Sequence, residues 1–418
     1  MPATETAAPS AVYSPTAPSP ATGRLLSVDV YRGLTVAGMI LVTDPGTYSY
    51  VYPQFSHAVW NGVTLTDMIA PSFLFLVGVA MSFSFASRAR RGATRAVLMR
   101  HVLFRVAALI VLGLLLNGFP DYSLHYLRIP GILQHIAVCL LFGGLLHCVT
   151  GHLLRDGQGA PTGFSASWKA LAAVMVLFVV ADWVLMRWVP VPGYGAGHLD
   201  PFGNMGGYID RSLFGTNHLW QWGNFWWDPD GMLTTLPASA NLMLGLLAGE
   251  LLRSSLQRTK AERTRAVWIL LGSGILLLAA GVLLDPVYPI NKKIWTPSYT
   301  LFSGGFCLVI LAVSHWFLDR DFAPQRAAWL RRISAPVRIF GANSILAFIF
   351  STIVTTMAAR IRVTGLDGHL DNIPAVAYET FAHVLAPRNA SLLYAVLIVL
   401  LNLLLLIPFH RRRIFLKL

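Results

Sequence analysis

Charge is what this sequence has least of. Asp, Glu, Lys and Arg make up 12% of its 418 residues, against about 25% in an ordinary soluble domain. So few charged side chains cannot clothe a water-soluble surface, and that class is excluded. Cysteine is scarce too: Cys139, Cys148 and Cys307 lie in apolar runs, show no metal spacing and read as small core residues. No P-loop, GxSxG elbow, zinc triad or Rossmann turn is present. No run alternates polar and apolar residues as a barrel strand does. No internal repeat is evident, which argues against a secondary transporter.

What the chain has in abundance is apolar surface: 55% of residues are hydrophobic and the mean hydropathy is +0.59. Apolar runs fall near 29–43, 64–85, 99–117, 131–149, 168–187, 234–252, 267–284, 299–318, 337–358 and 391–409. A span needs roughly 20 residues, and in lipid a non-barrel span must be a helix. The expected fold is all-α, a polytopic integral membrane bundle of about ten transmembrane helices. Residues 1–23, rich in Pro, Ala, Thr and Ser, read as a disordered cytoplasmic tail. Residues 24–418 form one transmembrane domain.

The formal net charge of +13 invites a nucleic-acid reading, but the basic residues sit in short loops between apolar runs, which is a topology signal. No nucleic-acid partner is expected; the partner is the bilayer. Arg88, Arg90, Arg91, Arg95 and Arg100 follow the second run. Arg253, Arg258, Lys260, Arg263 and Arg265 follow the sixth, and Arg320, Arg326, Arg331, Arg332 and Arg338 the eighth. With ten spans these loops share one side, which is cytoplasmic, as are both termini. The polar motifs then gather on the outer side.

Foremost among them is QFSHAVWNGVTLTDM, residues 54–68. His57 stands before a span and Asp67 just inside it. Ionisable residues at such a place are costly and mark function by default. An imidazole there can serve as general base or acyl-accepting nucleophile. A fold-back of the loop would let Asp67 fix the ring's tautomer; pairing of Asp67 within the bundle is the alternative. Asn61 is the polar neighbour. Asp44-Pro45-Gly46 reads as a tight turn ending the first helix.

Arg128 opens the fourth span, with Gln134 and His135 in its first turns needing partners. Trp220, Trp222, Trp226 and Trp227 precede Asp228-Pro229-Asp230-Gly231 and read as an interfacial belt or a sugar-stacking platform. In PINKKIW, residues 289–295, Lys292 and Lys293 defy the charge bias of the outer side and suit headgroups, phosphate or a developing oxyanion. Gly341-Ala342-Asn343-Ser344 favours close helix packing; Asn343 could also line a cofactor entrance. The residues alone stop at an outward histidine–carboxylate site and leave an exporter open.

Taken together, these motifs resemble the heparan-α-glucosaminide N-acetyltransferase family and its bacterial relatives. The stretches are RLLSVDVYRGLTVAGMILV (24–42), HAVWNGVTLTDMIAPSFLFLVGVAMS (57–82), RIPGILQHIAV (128–138), DPDGMLTTLP (228–237), PINKKIWTPSY (289–299), GANSI (341–345) and RRRIFLKL (411–418). The chain looks like a shorter bacterial form of the inner membrane. The resemblance implies an acyltransferase that carries acetyl from cytosolic acetyl-CoA to the amine of a glucosamine or other glycan across the membrane. It also implies a homodimer and no metal. His57 matches the family's active histidine, with Asp67 and Asn61 as catalytic companions. Arg128, Gln134, Lys292, Lys293, Trp295 and Asn343 are the candidates for acetyl-CoA. Arg32, Arg105 and Arg338 are the alternatives for its phosphates if the nucleotide stays at the cytoplasmic mouth. Two departures stand out. Where the family has Val-Asn before the outer loop, the residue aligned with its Asn is Thr43, followed by Asp44, and its Leu-Gln-Arg becomes Leu133-Gln134-His135. A catalytically degenerate relative that binds CoA stays open beside the enzyme.

Overall fold

A computed structural model of the chain describes residues 25–416 apart from 257, 321 and 367; the expected tail at 1–23 lies outside the described residues. Fourteen helices and two small hairpins follow in order. They are α1 (Leu26–Thr43), α2 (Ile69–Arg90), α3 (Arg95–Gly118), α4 (Ile132–Thr150), β1 (His152–Arg155), β2 (Pro161–Ser165), α5 (Trp168–Trp188), α6 (Met205–Phe214) and α7 (Thr235–Ser255). Then come α8 (Lys260–Leu284), α9 (Pro297–Leu318), α10 (Pro324–Ile333), α11 (Ala335–Ala342), α12 (Ser344–Arg360), β3 (Arg362–Thr364), β4 (Leu370–Asn372), α13 (Ile373–Ala382) and α14 (Pro387–Arg411).

Among the described residues nine helices are long and apolar enough to cross a membrane: α1 to α5, α7 to α9, and α14. The tenth apolar run is not one straight helix. It is α11 and α12, bent by 88° at Asn343. Local chemistry sets the other ends. Thr94 and Thr296 cap α3 and α9 through their side chains, and Thr259 with Glu262 closes a capping box on α8. Pro387 sits at the first position of α14, where its missing N–H costs nothing.

The centre of the bundle is the α2–α7 pair. A Cβ on Gly78 would fall 1.9 Å from Leu242 O, and one on Gly245 1.9 Å from Phe75 O. Only glycine lets these two backbones approach so closely, and without a hydrophobic drive in lipid such contact is what holds helices together. Around the pair, Leu74, Met81, Leu133, Leu140, Leu242, Leu246, Trp295 and Tyr299 form one apolar cluster.

The connections gather at two ends. At the end carrying the basic loops, Asp319 accepts from Leu26 N (2.8 Å) and Ser27 N (3.0 Å), while Arg95 and Arg253 donate to Gly151 O and Phe164 O, both at 2.7 Å. At the opposite end, Trp60 Nε1 reaches Leu199 O (2.9 Å), Gly62 N reaches Ile290 O (2.8 Å) and Ile129 N reaches His218 O (3.0 Å). The long segments 44–68 and 189–234 thus knit into one cap over that end.

Two readings of the sequence change here. The connection after α4 is a β-hairpin, with β1 and β2 antiparallel. Asp44 is not a turn residue at the surface. It is buried, and its two carboxylate oxygens accept from Ser351 Oγ (2.9 Å) and Thr355 Oγ1 (2.8 Å), tying the end of α1 to α12. Buried carboxylates persist only with such partners.

Candidate active site

The loop before α2 does fold back. Thr64 N and Ala58 N donate to Asp67 Oδ2 at 3.0 and 3.2 Å, and Tyr299 Oη donates to Asp67 O at 2.5 Å. Asp67 is 1% exposed and pinned by these bonds. Its Oδ1 lies 2.6 Å from His57 Nδ1. A carboxylate only accepts, so Nδ1 carries the hydrogen, and Nε2 of the neutral ring keeps a bare lone pair. The His57 side chain is 49% exposed, so a reactant can reach it. Burial, then the Lys292 ammonium, outweighs the pull of Asp67 and holds His57 below its ordinary value. The ring is therefore held toward its neutral form and has the free lone pair that a base or nucleophile needs.

The 289–296 segment supplies the second half of the site. Asn291 Oδ1 accepts from Lys293 N (2.8 Å) and Ile294 N (3.2 Å), and Thr296 Oγ1 accepts from Asn291 N (3.0 Å). Asn291 Nδ2 donates to Asn61 Oδ1 at 3.0 Å, binding this segment to the His57 loop. Asn61 is thus a strut between two loops. Lys293 Nζ donates to Val59 O and lies over the rings of Trp60 and Trp227, 6.0 and 5.4 Å from their centroids. Burial, then the like charge of Lys292, holds its ammonium below the ordinary lysine value. Lys292 Nζ makes no hydrogen bond among the described residues. It lies within electrostatic reach of His57, Asp67, His135 and Asp230.

Arg128 occupies the same end in another capacity. Its Nε and Nη2 donate to Asp228 at 2.8 and 2.5 Å, and Nη2 also reaches Asp230 at 3.0 Å. Two carboxylates so placed use its fork, and the triad fastens the start of α4 to the segment before α7. Against burial, which would raise it, Arg128, then His135 and Lys292, hold Asp230 below the usual carboxylate range. His135 is buried. Thr235 Oγ1 lies 3.1 Å from its Nδ1 and gives its own hydrogen to Gly231 O at 2.7 Å. The hydroxyl must accept from Nδ1, which leaves His135 Nε2 a lone pair with no partner. Gln134 beside it has both amide atoms buried without partners.

A cavity of about 310 Å³ runs through the bundle from the other end. Arg32, Arg88, His101 and Arg105 line it toward the basic loops, and Phe73, Val77, Leu109 and Phe348 make its apolar walls. It reaches Ile132, Leu133 and Ile136 in the first turns of α4. Arg88 Nη2 donates to His101 Nε2 at 3.0 Å, while Arg88 Nε and Arg105 Nε are buried without partners. Gly341, Ala342, Ser344 and Ile345, at the break between α11 and α12, also line it. Asn343 itself donates from Nδ2 to Ile414 O (3.2 Å), and its Oδ1 is buried and unpartnered. No group of three or more His, Cys, Asp or Glu side chains suited to a metal occurs among the described residues.

The structure thus brings His57, Asp67, Asn61, Lys292 and Lys293 together at one end, with Arg128 and Trp295 close by in the same cap. Gln134 stands beside residues lining the cavity's far end and Asn343 beside its wall. Arg338 is not among the lining residues, whereas Arg32 and Arg105 are. The sequence reading missed Arg88 and His101 in the cavity, and Tyr299, Thr64 and Asn291 as supports. No sequence signal set Arg88 apart from the loop arginines; the structure places it inside a helix, not in the loop after it.

Comparison with known proteins finds similarity across most of the chain. Residues 24–156, which include His57, Asp67, Arg128, Gln134 and His135, match the family model described as heparan-alpha-glucosaminide N-acetyltransferase, catalytic. The chain is 30% identical to heparan-alpha-glucosaminide N-acetyltransferase from Mus musculus over 375 residues, covering 81% of this chain and 55% of that protein. It is 30% identical to the Homo sapiens protein of the same name over 368 residues, covering 78% of this chain and 52% of that one. The chain spans about half the length of these relatives. It is similar to this family over most of its length, with the catalytic model matched at residues 24–156.

Proposed function

We propose that this protein carries an acetyl group from acetyl-CoA, entering at the basic and cytoplasmic face, to an amino or hydroxyl group of a sugar on the opposite, outer face of the cell membrane. The observation that carries this reading is the pairing of an outward His57–Asp67 dyad with a cationic cavity that opens at the other end of the same bundle. Arg32, Arg88 and Arg105 suit the phosphates of CoA, since two of these guanidinium groups hold buried N–H donors without partners. The narrow apolar walls suit a pantetheine arm, and the orphaned Gln134 amide suits one of its peptide-like groups. Arg128 then keeps the start of α4 in place instead of binding phosphate.

In this reading His57 Nε2 attacks the thioester carbonyl or takes the proton of the acceptor. Asp67 keeps the hydrogen on Nδ1 and favours the positive charge the ring acquires. Lys292, free of hydrogen bonds beside the dyad, stabilises the oxyanion; such a donor is worth about 3–4 kcal/mol where water is excluded. The names of the relatives support glucosamine as acceptor. The test is thiol release from acetyl-CoA by the purified protein with a panel of amino sugars. Release that depends on an amino sugar and is lost in His57→Ala is expected; release unchanged by His57→Ala would overturn the assignment.

A further inference from the structure

The cavity and the dyad do not meet. Neither His57 nor Asp67 lines the cavity, which ends at Ile132, Leu133 and Ile136. Between them stands an apolar layer in which Leu133, Met68, Trp295 and Tyr299 pack as one cluster. Trp295 is its largest member and is fully buried. On one side its ring meets Tyr299 edge-on, centroids 5.3 Å apart, and Tyr299 holds the backbone of Asp67. On the other it lies 5.2 Å from the His135 ring, in the turn of α4 whose neighbours close the cavity. Its Nε1 is fastened to Asn241 Oδ1 by a long bond of 3.3 Å.

The backbone at Trp295 has φ +48°, a left-handed conformation that a bulky side chain rarely adopts. A network that includes the Asn291 and Thr296 bonds holds it there, and Trp295 N donates to Lys292 O at 3.2 Å. Strain of this kind persists only where surrounding structure enforces it, and it gathers at working sites. The same turn that sets Lys292 beside His57 sets the indole against His135, in the layer behind the Leu133 that ends the cavity.

Resting on the acetyltransferase reading, we propose that Trp295 determines selectivity for the glycan acceptor over water: it is the seal that keeps outer water from the thioester. Without the seal, water adds to the thioester carbonyl carbon and the C–S bond breaks. Acetate leaves and the CoA thiolate takes up the proton released by water. With the seal, the carbonyl is reached only when the indole moves aside with the glycan acceptor in place; the acetyl carbon then bonds to the acceptor nitrogen or oxygen, and the CoA thiolate leaves and takes up the acceptor's proton.

The test compares the full-length protein with Trp295→Ala and Trp295→Phe in detergent micelles, following CoA thiol release with and without amino sugar. The expected result is an acceptor-independent fraction that rises about tenfold in Trp295→Ala, a barrier change of about 1.4 kcal/mol, and stays near the parent level in Trp295→Phe. A folded Trp295→Ala protein in which hydrolysis and transfer fall in the same proportion would overturn the proposal. If Trp295→Ala does not fold, Asn241→Ala frees the indole without removing its bulk and should give a smaller rise in the same fraction. A parent protein inert toward acetyl-CoA refutes the acetyltransferase reading, and the seal is then judged separately. The readout, in sealed vesicles of the protein, is alkylation of a His57→Cys thiol by a membrane-impermeant cationic reagent supplied at the basic face only. Faster alkylation with Trp295→Ala supports the seal, and an unchanged rate refutes it.

Discussion

Asp67 holds His57 by a 2.6 Å bond to Nδ1, ten residues along the chain and on the far side of a folded loop. That one contact decides which nitrogen of the ring is free. Asp67→Asn keeps the shape but offers an amide that can present N–H as well as O to the ring, so the tautomer is no longer fixed. Transfer should fall roughly 100-fold in Asp67→Asn and at least as far in His57→Ala, within the range for loss of a positioned base. Steady-state kcat with saturating acetyl-CoA checks it; a loss confined to KM would contradict the role.

The pH profile follows from the same pair. In the proposed mechanism the working form of His57 is neutral, and burial together with Lys292 holds its pKa below 6.5. Activity should be flat through neutral pH and fall as pH drops through that lowered value, so the acid limb lies below 6.5. Lys292→Met removes a neighbouring cation that opposes protonation, so the His57 pKa rises and the acid limb moves to higher pH. A limb unmoved by Lys292→Met would mean that another group titrates.

For the cationic cavity a binding signature is expected. Arg88→Gln or Arg105→Gln should raise KM for acetyl-CoA about tenfold, the scale of one lost charge-assisted contact, with kcat nearly unchanged. The defect should shrink as salt rises if phosphate is the partner, because screening weakens the contact that only the parent makes. Titration of CoA binding by calorimetry at two ionic strengths measures it.

Stability should depend on the triad at the other end. Asp228 is buried and takes two bonds from Arg128. Asp228→Leu strands part of a cation within the fold and should cost about 3 kcal/mol, as breaking a buried pair does. A fall in the midpoint of thermal unfolding in detergent reports it. The paired change Arg128→Leu with Asp228→Leu should recover part of the loss, since neither charge is then left alone.

Much of the fold was legible because a span announces itself by composition over about 20 residues. The break at Asn343 was not, since average hydropathy has no direction: α11 and α12 are both apolar, and only the 88° turn separates them. The His57–Asp67 pair could be suspected from spacing but not decided. The fold-back is braced by Ile290 O and Tyr299 Oη, more than 200 residues away in sequence. Arg128 illustrates the same gap. Its partners lie 100 and 102 residues on, so an arginine that looks free at a span end is in fact engaged. Arg88 was counted as a loop charge because helix ends are hard to place; the apolar run fades near 85 while α2 continues to Arg90, and that gap turned a cavity residue into a topology marker.

Asn343 bonds to Ile414 O, and Leu416 lines the cavity near Arg32 and Arg88. The last described residues are thus tucked beneath the helix break, against the mouth of the cationic cavity. A fluorescent protein or affinity handle fused at that end would crowd the entrance, so recombinant work is better served by placing it ahead of α1.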